Sequence, residues 1–172
     1  LNRYAATRFD NIATYGTRTS LRYAISPNKD LRIETTVYYQ NFHRNWFKIR
    51  RIETNSGTIY SLGNALATDG TALDILEGTA PGQLDYRNNN RDYYLGGFQS
   101  EVHYAFSAGE IKHQIDGGIR YHVDRIRRFQ KDESYIQDNT GAITGMTSGP
   151  DGGGGNRRQA VESISLYAQD TI

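Results

Sequence analysis

Cysteine is absent from the 172 residues, so neither a disulfide framework nor a thiolate metal site is available. No run approaches the ~20 consecutive apolar residues of a helical span, which excludes a helical membrane protein. The net charge is only +1, too little for a general nucleic-acid binder. Position 1 is not Met, no signal-like segment follows it, and the chain stops inside an alternating stretch at Gln169 to Ile172. The expectation is a piece of a larger protein. A mean hydropathy of −0.70 with 23% charged residues would describe a polar soluble domain. Barrel strands defeat such averages, because half of each strand and most of each loop are polar.

What the chain has instead is strict alternation over 15–25, 31–42, 93–106 and 111–124. Successive side chains of a strand point to opposite faces, and every charge here falls on one parity. One face reads Tyr15, Thr17, Thr19, Leu21, Tyr23, Ile25, then Leu31, Ile33, Thr35, Val37, Tyr39. It continues with Tyr94, Gly96, Phe98, Ser100, Val102, Tyr104, Phe106, then Ile111, His113, Ile115, Gly117, Ile119, Tyr121, Val123. Those 25 positions hold no Asp, Glu, Lys or Arg. The other face holds nine: Arg18, Arg22, Arg32, Glu34, Glu101, Lys112, Asp116, Arg120 and Asp124.

A soluble sheet with one buried face would alternate in the same way, so the aromatic positions decide. With strands alternating in direction, Tyr15, Tyr39, Tyr94 and Tyr121 gather at one rim, and Tyr23, Tyr104 and Phe106 at the other. Eight residues separate Tyr15 from Tyr23 and ten separate Tyr94 from Tyr104. For tilted strands these spans project to roughly 20–25 Å, close to the ~25 Å apolar band of an outer-membrane barrel. Phenol rings settle where one end is dry and the other wet. The pattern predicts an all-β fold, an antiparallel transmembrane β-barrel fragment of about five strands near 13–25, 31–43, 92–106, 111–126 and 159–172. The parity of the last strand, with Val161, Ile164, Leu166 and Tyr167, stays open.

Ser26 to Asp30 and Ser107 to Glu110 are short, turn-rich connections, whereas 44–91 and 127–158 are long. Short periplasmic turns and long extracellular loops are the barrel arrangement, which orients the chain. Loops of this size are usually functional or disordered. Ser61 to Glu77 has enough Leu, Ala and Ile for a short helix or compact fold. The run from Gly149 to Gly155 is expected to be mobile. A phosphate cradle there would need a strand before and a helix after, and the sequence offers neither.

Four segments carry a resemblance: His43-Arg44-Asn45-Trp46-Phe47-Lys48, Asn89-Asn90-Arg91-Asp92-Tyr93, Gly117-Gly118-Ile119-Arg120-Tyr121 and Leu166-Tyr167-Ala168-Gln169-Asp170. With them the chain resembles the TonB-dependent outer-membrane receptors, most of all the ferric citrate receptor branch. The resemblance implies a 22-stranded barrel around an N-terminal plug. It also implies import of a ferric chelate (a siderophore or ferric citrate) across the outer membrane of a Gram-negative bacterium. The partners implied are the chelate, an inner-membrane TonB complex acting through the plug, and outer-membrane lipid and lipopolysaccharide. No plug and no energy-coupling box occur in these residues. A five-stranded piece would leave two open edges, which a bilayer does not tolerate, so transport by the piece alone is not expected.

Twelve of the 20 Lys and Arg residues fall at the expected extracellular ends: Arg44, Lys48, Arg50, Arg51, Arg87, Arg91, Arg125, Arg127, Arg128, Lys131, Arg157 and Arg158. A basic mouth would concentrate an anionic chelate, and arginine's fork matches carboxylates. The candidate cargo contacts are Arg44, Lys48, Arg51, Arg87, Arg91, Arg127 and Arg128. Each could equally be a solvated surface charge or meet lipopolysaccharide phosphate. Parity sends Arg44 and Arg91 inward and Arg125 outward, toward lipid. The mixed-sign inner charges read as cross-strand pairs and plug contacts. Trp46, Phe47, Tyr60, Tyr86 and Phe129 could touch a chelate or pack the loops, and packing is favoured for Phe47 and Tyr60. His122 and Asp124 share a face without a third ligand, and His103 and His113 read as structural. No cofactor and no catalytic set is marked. A passive porin-like channel and a soluble β-rich module remain as alternatives.

Overall fold

The computed structural model describes residues 4–68, 70–151 and 155–172. Strand accounts for 74% of it, mostly antiparallel and in an open sheet, so the class is all-β. After a 3-10 turn at Ala5–Thr7, the strands are β1 (Asn11–Asn28), β2 (Leu31–Thr54), β3 (Ile59–Ser61), β4 (Gly82–Ala108), β5 (Ile111–Gln137), β6 (Ile143–Asp151) and β7 (Arg157–Thr171). Two short helices, α1 (Leu62–Ala67) and α2 (Thr71–Glu77), lie between β3 and β4. The sheet order is β1-β2-β4-β5-β6, with β3 paired to β2 and β7 to β5.

The two short turns form as expected. Asn28 Oδ1 accepts from the Asp30 amide at 2.9 Å, closing the β1–β2 hairpin on itself. Gly109 takes φ +66° between β4 and β5, a value that only glycine adopts without penalty. The expected helical character of Ser61 to Glu77 is also present. Ser61 caps α1 by accepting from the Asn64 amide at 3.2 Å, and α2 ends at Gly78 in the left-handed region.

Two expectations about the long connections need correction. Residues 44–91 are not wholly irregular: β2 runs on to Thr54 and β4 begins at Gly82. In 127–158, β5 runs on to Gln137 and β6 folds back on it, pairing Tyr135 with Met146 and Ile136 with Gly145. The sheet therefore has seven strands, not about five. Alternation hides the extensions because the strands lose their two-residue rhythm there. Ile49 and Ile52 are both fully buried though three residues apart, which a regular pleat does not give. Part of the expected mobile run, Gly149 to Asp151, belongs to β6. Residues 152–154 of that run lie outside the described residues.

The chain divides into two compact units. The first takes the described residues of Leu1–Tyr15, His43–Arg91 and Arg127–Arg157, and the second takes Gly16–Phe42, Asp92–Ile126 and Arg158–Ile172. The first unit has a core of Ala6, Ile49, Ile52, Ala65, Ala72, Ile75, Leu76, Leu84 and Tyr86. Tyr86 sits within 5.7 Å (ring centroids) of Phe9, Phe47 and Tyr135, and its hydroxyl donates to the Ala6 carbonyl. Burial pushes its pKa up, because the phenolate would lose its hydration. Gln137, buried at 1% exposure, ties the turns together. Its amide donates to the carbonyls of Ile75 and Ala80 at 3.0 Å each, while its oxygen accepts from Arg8 at 3.1 Å.

The second unit has no such core. Its apolar side chains stand bare: Leu21 is 72% exposed, Ile164 69% and Leu166 74%. β1 and β7 are exposed along their whole length, each having one strand neighbour and no covering layer.

Candidate functional site

Contacts between β5 and β7 fix the parity that the sequence leaves open. Tyr121 donates to Glu162 at 3.3 Å, and His113 meets Asp170 at 2.8 Å. Tyr121 and His113 belong to the uncharged face, so Glu162, Ile164, Leu166, Ala168 and Asp170 lie on it too. A Cβ at Gly118 would run into the Tyr167 ring, which places Tyr167 on the opposite face. The uncharged face therefore carries two carboxylates after all, eight residues apart on β7 with apolar residues between them. One stands beside Tyr121. The other stands beside His113, on which the Phe106 ring stacks at 4.8 Å.

Thr35 and Ser100 share a hydroxyl hydrogen bond of 2.9 Å. Gly96 leaves an open groove of about 330 Å³ among Tyr39, Tyr94, Tyr121, Val123 and Arg125. Of the aromatic set named from sequence, Tyr15, Tyr23, Tyr39, Tyr94, Tyr104, Phe106 and Tyr121 are all solvent-accessible; Tyr15 is the barest of them at 67%.

Much of the charged face is paired within itself. In the second unit, Glu34 is held by both Arg22 and Arg32, and His103 meets Asp116 at 2.5 Å. Tyr38 bonds His122 Nδ1 at 2.9 Å and accepts from Arg120 Nε at 3.1 Å. In the first unit, Asp85 accepts from Arg51, from Gln83 at 2.9 Å and from Ser134 at 2.7 Å. Asp132 receives Arg87 through two bonds of 2.6 and 2.7 Å, with Arg50 at 3.1 Å. The Arg87 guanidinium holds the Asp132 carboxyl below the usual carboxylate range, and Asp132 raises Arg87 in turn.

These pairs decide how the candidate cargo contacts stand. Arg51 and Arg87 are brought together with Arg50, but around two carboxylates that already occupy them. Arg91 donates to Asn89 at 3.2 Å, and Asn89 also accepts from Gln130 at 3.2 Å. The Lys48 ammonium lies 4.1 Å over the Trp46 ring. Arg44 has a buried Nε without a hydrogen bond, Arg127 is exposed, and Arg128 is half-buried. Phe47 and Tyr60 pack on the core of the first unit, and so does Tyr86, which is therefore no cargo contact. Among the described residues no group of three His, Cys, Asp or Glu side chains converges.

Sequence reading missed Asp85 and Asp132 as counter-ions, although a signal existed. Arg87 and Asp132 lie 21 residues from Ala108 and Ile111, the two ends of the β4–β5 turn, and His103 and Asp116 lie five from them. A tight hairpin sets the pairing of everything beyond it.

No protein-family model matches the chain, and neither a curated protein nor a solved structure matches it.

Proposed function

We propose that the second unit is part of the membrane-spanning wall of an outer-membrane receptor barrel, and that the whole receptor imports a ferric chelate by an energy-coupled mechanism. The carrying observation is the uncovered uncharged face, where Leu21, Val37, Ile119, Ile164 and Leu166 stand exposed. Water disfavours such a face at about 25 cal/mol per Å² of apolar surface, and hydrocarbon does not. Its exceptions support the reading. Glu162 and Asp170 sit beside Tyr121 and His113, at the levels where aromatic rings and headgroups meet, and not midway between. The first unit, cored and ion-paired, belongs in the external medium. Its cations would meet the anionic cargo, and a partner in the inner membrane would drive release through a plug.

Arg51 and Arg87 are poor cargo contacts, since binding there must displace Asp85 or Asp132. Arg44 and Arg91 are the pair that strand parity sends toward the lumen. In the protein as purified from membranes, Arg44→Ala with Arg91→Ala should weaken ferric citrate binding by roughly tenfold, the loss of one or two charge-assisted hydrogen bonds. Unchanged affinity would sink the cargo assignment. Solute conductance without any need for energy coupling would favour a passive porin instead.

A further inference from the structure

We infer that the groove over Gly96 is a lipid site, taking the phosphorylated, acylated sugar of outer-leaflet lipopolysaccharide; this rests on the membrane reading above. Three features of the groove carry it. Its floor is backbone, because Gly96 contributes no side chain where the neighbouring positions carry rings. Its walls are the apolar edges of Tyr39, Tyr94 and Tyr121 with Val123, a trough in which an acyl chain lies flat. Its end is Arg125, which follows Tyr121 and Val123 on the same parity of β5. Among the described residues no ion pair or hydrogen bond engages the Arg125 guanidinium. The nearby carboxylate of Glu162 accepts from the Tyr121 hydroxyl.

The charge pattern selects the occupant. Elsewhere Arg22, Arg32, Arg50, Arg51 and Arg87 each hold a carboxylate. Arg125 is set apart from them: it stands on the tyrosine-bearing face, which on β7 also carries Glu162 and Asp170, and at the level of a tyrosine rim. A cation there complements a phosphate whose chains descend into the apolar band. The rim in question, with Tyr39, Tyr94 and Tyr121, adjoins the long connections and so belongs to the outer leaflet. Lipopolysaccharide supplies the phosphate on that side. A guanidinium grips it through a planar fork that an ammonium lacks.

The test is native mass spectrometry of the protein extracted from outer membranes in mild detergent. Bisphosphorylated lipid A, dephosphorylated lipid A and phosphatidylglycerol are added singly. Bisphosphorylated lipid A should be retained best. Arg125→Ala should cut its retention roughly fivefold, the worth of one cation near a lipid headgroup, and Arg125→Lys should restore part of it. Gly96→Leu, which fills the trough while leaving the charge in place, should also cut retention. Equal retention by wild type, Arg125→Ala and Gly96→Leu overturns the site, as does phosphatidylglycerol held as tightly as lipid A. Protein that leaves the membrane fraction without detergent overturns the membrane reading itself. Membrane-held protein with retention indifferent to Arg125 overturns only the groove.

Discussion

The same parity of β4 meets opposite surroundings in the two units. In the second it carries Tyr94, Phe98, Val102 and Tyr104, all exposed; in the first it carries Leu84 and Tyr86, both with no exposed surface. What differs is the cover. Ala6 of the 3-10 turn, Ala65 of α1 and Ile75 and Leu76 of α2 pack over the first unit's sheet. Nothing in the second unit packs over its own. Alternation thus states which face avoids charge; it does not state what solvates that face. The aromatic residues record the difference. Tyr86 buries its ring and sends its hydroxyl to a backbone carbonyl, whereas Tyr23 keeps more than half its surface bare.

The largest effect should come from breaking the covered half. Tyr86→Ala removes the ring on which Phe9, Phe47 and Tyr135 converge and strands the Ala6 carbonyl, at a cost of about 3–5 kcal/mol. Amide exchange should accelerate across α2, Leu84 and the end of β5, and remain unchanged in β1 and β7. Uniform acceleration in both units would show that they open together.

The bare half is tested by charge. Leu166 lies midway between Glu162 and Asp170 and is 74% exposed. In water Leu166→Arg would cost almost nothing, whereas at the midplane of a bilayer it should cost about 2–4 kcal/mol. Urea unfolding in phospholipid vesicles reads that difference. An arginine that leaves the midpoint untouched would mean that this face meets no hydrocarbon.

How far this contrast was legible follows from which interactions are periodic. The uncharged face, the aromatic rims and the two tight turns repeat every second residue or close locally, so they can be read along the chain. The turn at Gly109 even sets Arg87 opposite Asp132 and His103 opposite Asp116, once β4 and β5 are allowed to run on. The extensions were hidden because Ile49 and Ile52 break the rhythm of β2 and because polar residues, Asp85 of β4 and Gln137 of β5, are buried. Tyr167 looked apolar and Asp170 polar, yet Asp170 shares the uncharged face and Tyr167 does not. Only the contacts across β5 could order them.

Gln137 offers a smaller sharpening of the comparison. Gln137→Leu keeps the volume but leaves the buried-side Ala80 carbonyl without its donor, Ile75 with the Gly78 amide alone and Arg8 with Ala5 and Gly141 alone, which should cost about 1–3 kcal/mol. The loss should appear as faster exchange at α2 and at Asp138 to Ala142. A neutral result would mean that water reaches those carbonyls and that the cover is looser than the burial of Gln137 implies.

The smallest effect concerns pH. Arg87 depresses the Asp132 pKa, so the pair stabilises the first unit fully above the unfolded carboxyl value of about 3.9. That contribution disappears as pH falls through the lower folded value. Both side chains are about a third exposed, at 31% and 38%, and solvent screening holds the gain to about 0.2–1 kcal/mol. Asp138 also titrates low, chiefly through the Thr140 hydroxyl bond, so acid weakening alone cannot be assigned to Asp132. The difference between wild type and Asp132→Asn isolates it. That difference should be present at pH 6, shrink below pH 4 and vanish once Asp132 is protonated. A gap that persisted at low pH would mean that Asp132 acts through packing with Arg87 and Arg50, and that its charge contributes nothing to the first unit.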